Sequence, residues 1–567
     1  MSKVDWLVLA LTLLSIVIYG VWKSRGQKNI EGYLLADKKM PWYQVGFSVM
    51  ATQASAITFL SAPGLAYSDG LRFVQFYFGL PLAMIVLCVT FIPIFHKLNV
   101  YTAYEYLEGR FDIKTRSLTA FLFLLQRGLS TGITIYAPSI ILSSILHVNI
   151  QYTTLIMGTL VIIYTVYGGT KAVSYTQMFQ MAIIFSGLAM AGYMVVHLLP
   201  AGVGFTDALQ IAGKMGRTKA LDLHFDLNNK YNIWSGIIGG LFLQLSYFGT
   251  DQSQVGRYLT GSSVTQSRLG LVMNGLVKIP MQFLILLIGV LVFAFYQYTA
   301  PPVSFNPVAL DAVKASTYGP QVAKLESDFE AVYAEKKRLV NELVPALHNG
   351  NKQEVDATRI KLQAADQAAL DIRQNVQTLM TKNDAAADTN DTNYVFLSFV
   401  TEYLPVGMVG LLIAIIFLAA MGSTASGLNS LASTTIVDFY KRFISKSGSD
   451  KHYLNASRWA TVGWGGFCVI VALYAGHLGN LIEAVNILGS LFYGTILGIF
   501  LVAFYFKKIG GSAVFVAALI AEAIVCIVAF LNVMAFLWLN LLGCALVILL
   551  ATMVQQFFHR KRSNAVA

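Results

Sequence analysis

Apolar stretches long enough to cross a bilayer, about 20 residues each, recur along the whole of this chain, and no other feature narrows its fold as far. They read as 4–22, 42–67, 73–95, 117–146, 150–168, 177–199, 232–256, 269–298, 405–437, 458–476, 481–506, 511–530 and 533–556. In hydrocarbon every backbone N–H and C=O must be satisfied inside the protein, so such stretches fold as helices. Only 12% of the 567 residues are charged, against about 25% in soluble domains. The expectation is an all-α polytopic membrane protein with about thirteen transmembrane helices.

The formal net charge of +11 does not point to nucleic acid, because of where the charge lies. With the N-terminus outside, one set of loops is cytoplasmic: 23–39, 97–116, Lys171, 257–268, 441–458, Lys507 with Lys508, and 560–562. These hold 22 of the 40 Lys and Arg. The opposite short loops hold only Lys3, Arg72, Lys214, Arg217, Lys219 and Lys230. That asymmetry follows the positive-inside rule and places the C-terminus in the cytoplasm.

Residues 299–392 do not belong in a membrane, carrying 10 Lys/Arg and 13 Asp/Glu. Apolar residues at three- and four-residue spacing predict two helices there, broken at HNGN, 348–351. An extracellular helical hairpin is expected. Cys88, Cys468, Cys526 and Cys544 sit in apolar runs with no disulfide or metal spacing. The span 4–22 lacks a basic n-region and a clear cleavage site, so it reads as a retained helix.

Two spans are unusual. Within 42–67, the stretch ATQASAITFLSAPG puts Thr52, Gln53, Ser55, Thr58 and Ser61 at membrane depth, where an unsatisfied polar group costs several kcal/mol. The span 232–256 combines Gly236, Gly239, Gly240 and Gly249 with Gln244, Ser246, Tyr247, Thr250, Asp251 and Gln252. Interrupted spans in corresponding places of two halves mark a transporter built from inverted repeats. An unwound stretch frees carbonyls, and with hydroxyls such as those of Gly422-Ser423-Thr424-Ala425-Ser426 it makes an all-oxygen site for a hard cation such as Na⁺.

Five motifs resemble the sodium/solute symporter family: ATQASAITFLSAPG, YGGTKAVSYTQMFQ (167–180), DQSQVGRYL (251–259), MGSTASGLNSLASTTIVDFYKR (421–442) and NILGSLFYG (486–494), with Lys278 followed by Pro280. The resemblance spans nearly all of the chain outside the 299–392 insertion and extends to bacterial carriers of sugars and sialic acid. It implies a LeuT-type five-plus-five inverted repeat and Na⁺-driven alternating access. The chain then divides into 1–40 (extra helix and cytoplasmic linker), 41–298 (core helices 1–7), 299–392 (insertion), 393–508 (core helices 8–10) and 509–567 (two final helices and a basic tail).

Carried over position by position, the resemblance implies sodium binding by the carbonyls of Ala51, Ala54 and Ala419 and by the positions of Gly422 and Ser423. Gly422 lacks the expected hydroxyl, for which Thr424 is a substitute. A second sodium site in the family uses an aspartate where this chain has Gln177, so one coupled ion is expected. For the solute, the resemblance implies Gln53, Ser55, Thr58, Gln244, Tyr247, Lys278 and Asn486. Ile57 and Thr58 replace a glutamate and a glutamine of the sugar carrier, which leaves sugar, polyol and organic acid open. Arg127 reads as a snorkelling or paired residue. Asp251 with Arg257, and Asp438 with Lys441 or Arg442, read as ion pairs.

The function expected is a sodium-coupled symporter in the plasma membrane (the bacterial inner membrane) that imports a small organic solute, complete as a monomer. The alternatives are a symporter-like sensor and a facilitated or proton-coupled carrier. A sensor needs an output domain, which the five residues after Arg562 do not form. An enzyme is not expected, since the 8 histidines are scattered and no HExxH or CxxC occurs.

Overall fold

The computed structural model describes residues 1–24, 38–98, 100–385 and 387–566; most of the expected cytoplasmic linker, 25–37, lies outside them. All thirteen expected spans are helical in whole or large part. Nine helical stretches among the described residues are long and apolar enough to cross a membrane. The count is lower because 42–67 is broken and its second half runs on into 73–95, while 4–22, 150–168 and 232–256 fall outside it.

We label the principal helices α1 (Lys3–Ser24), α2 (Trp42–Gln53), α3 (Ala56–Asp69), α4 (80–98), α5 (Ile113–Leu146), α6 (Ile150–His197), α7 (Gly240–Thr250), α8 (Gln252–Tyr258) and α9 (Val264–Tyr298). After them come α10 (Gly319–His348), α11 (Lys352–Asn383), α12 (Met408–Thr434), α13 (Asp450–Leu473), α14 (Leu481–Tyr505), α15 (Gly511–Phe530) and α16 (Phe536–Val566). The spans 150–168 and 177–199 are the two arms of α6: 150–166 and 173–197 are separate apolar stretches, and the Tyr164 hydroxyl lies 3.3 Å from Thr176 Oγ1, whereas twelve residues of straight helix would set them about 18 Å apart. The first half of α6 packs on α13, where Val469 meets Gly158, and the second half on α12, where Ile415 meets Gly187.

The most enclosed span is the one beginning with α12, 83% of whose apolar window is buried, against 28% for α13 and 33% for α15. So α12 is central, flanked by α5 and α6, with α14 next most enclosed at 72%, while α13 and α15 lie at the periphery. Small residues make the tightest crossings, as is usual where helices meet in lipid. A Cβ on Gly289 of α9 would lie 2.1 Å from the carbonyl oxygen of Pro63 in α3. Pro63 sits inside α3 without ending it. Asp5 of α1 accepts from the N–H of Gly407 at 2.6 Å, tying the extra helix to the entry of α12.

The insertion is the expected hairpin. Asn351 caps α11 by accepting from Glu354 N–H, and Gly350 takes φ +68 at the turn. Phe329, Tyr333, Ala369, Val376 and Met380 form its own core. Buried Lys336 is matched by Asp366 at 2.6 Å. The turn docks on the membrane domain through His348, 2.7 Å from Asp207. The Gly204 N–H and His348 together hold the Asp207 carboxyl below its usual range.

Candidate functional site

The site begins with two helix breaks. At Ala54 the backbone leaves the helical region (φ −80, ψ 76), and Ser55 is extended. Ser55 N–H then turns to Gln53 O at 3.0 Å and Thr58 N–H to Ser55 O at 2.9 Å. In a continuous helix those two N–H groups bond the carbonyls of Ala51 and Ala54. The break therefore takes from both carbonyls their helical partners, at two of the positions expected to bind sodium. The second break is at Asp251 (φ −77, ψ 117), whose carboxylate caps α8 by accepting from Ser253 N–H.

Between the breaks lies a narrow cavity of about 90 Å³, lined by Gln53, Ser55 and Thr58, by Arg127, Thr131 and Thr134 of α5, by Tyr247, and by Ser423, Asn486 and Tyr493. At roughly 10–15 Å³ per water, it has room for several. Gln53, Ser55, Thr58, Tyr247, Asn486 and Ser423 are thus brought together on one wall system. Gln244 is not: it is fully buried, with neither side-chain amide atom partnered. Lys278 stands one layer back, its unpartnered Nζ 5.9 Å from the ring centre of Tyr77, which itself lines the cavity.

On α12, Ser423 Oγ donates to Ala419 O at 2.8 Å, so hydroxyl oxygen and carbonyl sit side by side. A Cβ on Gly422 would fall 2.7 Å from Gln180 Oε1. An amide oxygen from α6 thus occupies the space beside the missing hydroxyl. Thr424, the substitute read from the sequence, is buried with its hydroxyl unpartnered.

Gln177 bridges three elements. Its Oε1 accepts from Ser48 Oγ at 2.7 Å, and its Nε2 donates to Thr52 Oγ1 at 3.3 Å and Gly422 O at 3.5 Å. Thr52 Oγ1 lies 3.3 Å from Ser426 Oγ, which accepts from Arg257 Nε at 3.0 Å. Two amide hydrogens and a nearby guanidinium thus stand among the oxygens of this second polar cluster.

Of the polar assignments, one is narrowed and two change. Arg127 takes the paired alternative: it lines the cavity and pairs with Asp251. Tyr493 O–H donates to the same carboxylate oxygen at 2.9 Å, Gln254 Nε2 donates to Tyr247 O–H at 2.7 Å, and the guanidinium lies over the Tyr247 ring. Arg257 does not pair with Asp251: six residues further along, it has turned about 600° around the helix axis. Asp438 pairs with Arg116 at 2.6 Å, and Arg442 pairs with Glu108 at 3.1 Å. Residues 435–444 are π-helical, so the three- and four-residue spacings that bring α-helical partners together do not apply.

The sequence reading missed Arg127, Gln180 and Tyr493 as wall or ligand residues. Its signal for Arg127 was present: a cation ten residues inside a long apolar helix faces a cavity or a partner.

A model of the sodium:solute symporter family matches residues 33–327 and 374–521, leaving the hairpin segment 328–373 outside. The chain is 27% identical over 523 residues to the sodium/glucose cotransporter of Vibrio parahaemolyticus, covering 90% of this chain and 82% of that protein. It is 24% identical over 574 residues to the sodium/sialic acid symporter NanT of Aliivibrio fischeri, covering 99% and 95%. A solved structure of a Na⁺-coupled sialic acid symporter, in a substrate-bound outward-open state, shares the fold with a TM-score of 0.75 over 98% of each chain, at 20% identity.

Proposed function

This chain belongs to the sodium:solute symporter family, and on that premise we propose that it imports a small organic acid together with one sodium ion, by alternating access, across a bacterial inner membrane. The observation that carries the reading is the break at Ala54–Ser55, which takes the helical partners from two carbonyls where the chain enters the cavity lined by Ser423. The proposed ion site is made of the Ala51, Ala54 and Ala419 carbonyls and Ser423 Oγ, with Gln180 Oε1 standing in for the hydroxyl absent at Gly422. Such a site holds Na⁺ by neutral oxygens alone, which suits reversible binding.

One ion is proposed because Gln177 brings hydrogens, not a carboxylate, to the second cluster. One charge moved down about 100 mV yields roughly 2.3 kcal/mol. A tenfold Na⁺ gradient adds about 1.4 kcal/mol, so a single ion supports roughly 500-fold accumulation of a neutral solute; a co-transported anion cancels the electrical share.

The solute class follows from Arg127. It is the charged side chain among the residues lining the cavity; Asp251 holds one end of its guanidinium, its Nε is without a partner, and a solute carboxylate is the complement for the donor that remains. Gln53, Ser55, Thr58 and Asn486 then offer hydrogen bonds to the solute's hydroxyl or amide groups, and Tyr247 with Tyr493 forms the floor. Lys278 acts from behind Tyr77, while Gln244, buried off the cavity wall, takes no part in the solute site. We read α2/α3 and α7/α8 as the opening helices of two inverted repeats, so that one monomer holds the whole pathway. The N-terminus is placed outside and the C-terminus in the cytoplasm, following the basic loops.

Proteoliposomes with an inward sodium gradient test this. Labelled organic acids and neutral sugars are screened against a choline control. A sodium-dependent accumulation of an acid, abolished by Arg127→Gln while sodium still stabilises the variant, is the expected result. Accumulation of a neutral sugar that Arg127→Gln leaves intact would overturn the solute class.

A further inference from the structure

A second cavity lies remote from the transport site. It opens on the face that carries the basic loops and measures about 470 Å³, within the roughly 300–1,000 Å³ of small-ligand sites. Its wall carries Arg116, Lys441, Arg442 and Lys446 against Glu105 and Glu108.

Both carboxylates are already engaged. Glu105 Oε1 accepts from the N–H groups of Tyr101 and Thr102 at 3.0 and 3.1 Å. Glu108 is shared by Arg116 at 2.6 Å and Arg442 at 3.1 Å. Arg116 is fully enclosed and spends its other donors on Asp438 and Val437 O. The lysines are not matched in this way. Lys441 Nζ lies over the Tyr453 ring, at 5.4 Å, and neither Lys441 nor Lys446 has an ion pair among the described residues. The wall therefore presents an excess of two positive charges, borne by exposed ammonium groups.

Next to these cations the same short π-helical segment exposes Phe443 and Ile444, 56% and 73% accessible. Apolar side chains beside lysines at the end of a membrane helix are the signature of the headgroup layer, where cations meet phosphate and rings meet acyl chains. A soluble anion would use the cations and leave Phe443 and Ile444 in water.

We propose that this cavity binds the phosphate of an anionic phospholipid headgroup, on Lys441, Lys446 and Arg442, with the first acyl segments against Phe443 and Ile444. Arg442 is the link to transport. It shares Glu108 with Arg116, and Arg116 clamps Asp438 at the end of the span that carries Ser423. A phosphate on Arg442 relaxes its hold on Glu108 and leaves that carboxylate to Arg116, strengthening the Arg116–Glu108 pair.

The test uses the detergent-purified full chain, titrated in mixed micelles with dioleoylphosphatidylglycerol while the melting midpoint is recorded. Dioleoylphosphatidylcholine and soluble glycerol phosphate are the comparison ligands. Phosphatidylglycerol should raise the midpoint saturably, and the other two should not. The exposed double change Lys441→Gln with Lys446→Gln should raise the half-saturating concentration at least tenfold, and Lys441→Arg with Lys446→Arg should restore it. Equal effects of the two lipids, or a parent-like titration of the glutamine variant, would remove the headgroup site. If glycerol phosphate reproduces the shift and the glutamine variant loses it, the ligand is a soluble phosphate and the lipid assignment falls.

Discussion

Gln177 and Gly422 are the two residues at which this chain departs most from what its motifs imply, and they touch: a Cβ on Gly422 would lie 3.6 Å from Gln177 Cγ. The amide at 177 ties α2 to α12 with hydrogens that a cation would repel. Gln177→Asp supplies a carboxylate beside Ser48, Thr52 and Ser426, so it should create a second ion site. The slope of uptake against sodium concentration should steepen toward second order; an unchanged slope would leave position 177 a packing residue. The identity of these residues was legible in the sequence, because the polar groups of 51–58 and 422–426 have no business at membrane depth unless they share a cavity. What was not legible was pairing. Arg127, 124 positions away from Asp251 in sequence, meets it only because the chain breaks at 251 and turns the carboxylate toward α5. Gln180 likewise becomes a candidate ligand only through the space that Gly422 leaves.

Among the elements, the broken helices were predictable. Polar and small residues in 42–67 and 232–256 signalled interruption, and the backbone leaves the helix at 54–55 and 251. The contact of α3 with α9 is set by Gly289, against whose Cα the Pro63 carbonyl rests. Gly289→Ala should cost about 1–3 kcal/mol by overpacking, read as a lowered melting midpoint. A parent-like midpoint would mean that α3 and α9 are free to separate by the width of a methyl group without loss.

For the whole molecule, the hairpin is both the least family-like part and the part with a clear proton linkage. Asp388, in the segment that leads from α11 back to the membrane domain, accepts from Tyr136 and Tyr394 hydroxyls at 3.2 and 3.0 Å. Burial nevertheless pushes its carboxyl up from 3.8 to about 6. A carboxyl raised in the folded state favours folding when protonated. Its contribution is therefore full below about pH 4 and is lost as pH rises through 6. Linkage puts that loss at up to about 3 kcal/mol. The parent should gain stability between pH 7 and pH 5 relative to Asp388→Asn, which cannot titrate. Parallel pH profiles for the two proteins would contradict the assignment. That the hairpin exists was readable from its charge and heptad-like spacing, whereas its anchoring by Asp207, Arg217 and Asp391 depends on residues scattered over the outer loops.

The central claim is a sodium site at the first helix break, completed by Ser423. Its most direct test is the melting midpoint of the purified protein across a NaCl titration, with choline chloride holding ionic strength constant, for the parent and Ser423→Ala. A ligand of the folded state adds about 2.7 kcal/mol at a hundredfold excess over its Kd. The account predicts a saturable, sodium-specific rise in the parent, with a half-saturating concentration about tenfold higher in Ser423→Ala, equivalent to about 1.4 kcal/mol. A parent indifferent to sodium over choline, or a variant that titrates like the parent, would contradict it.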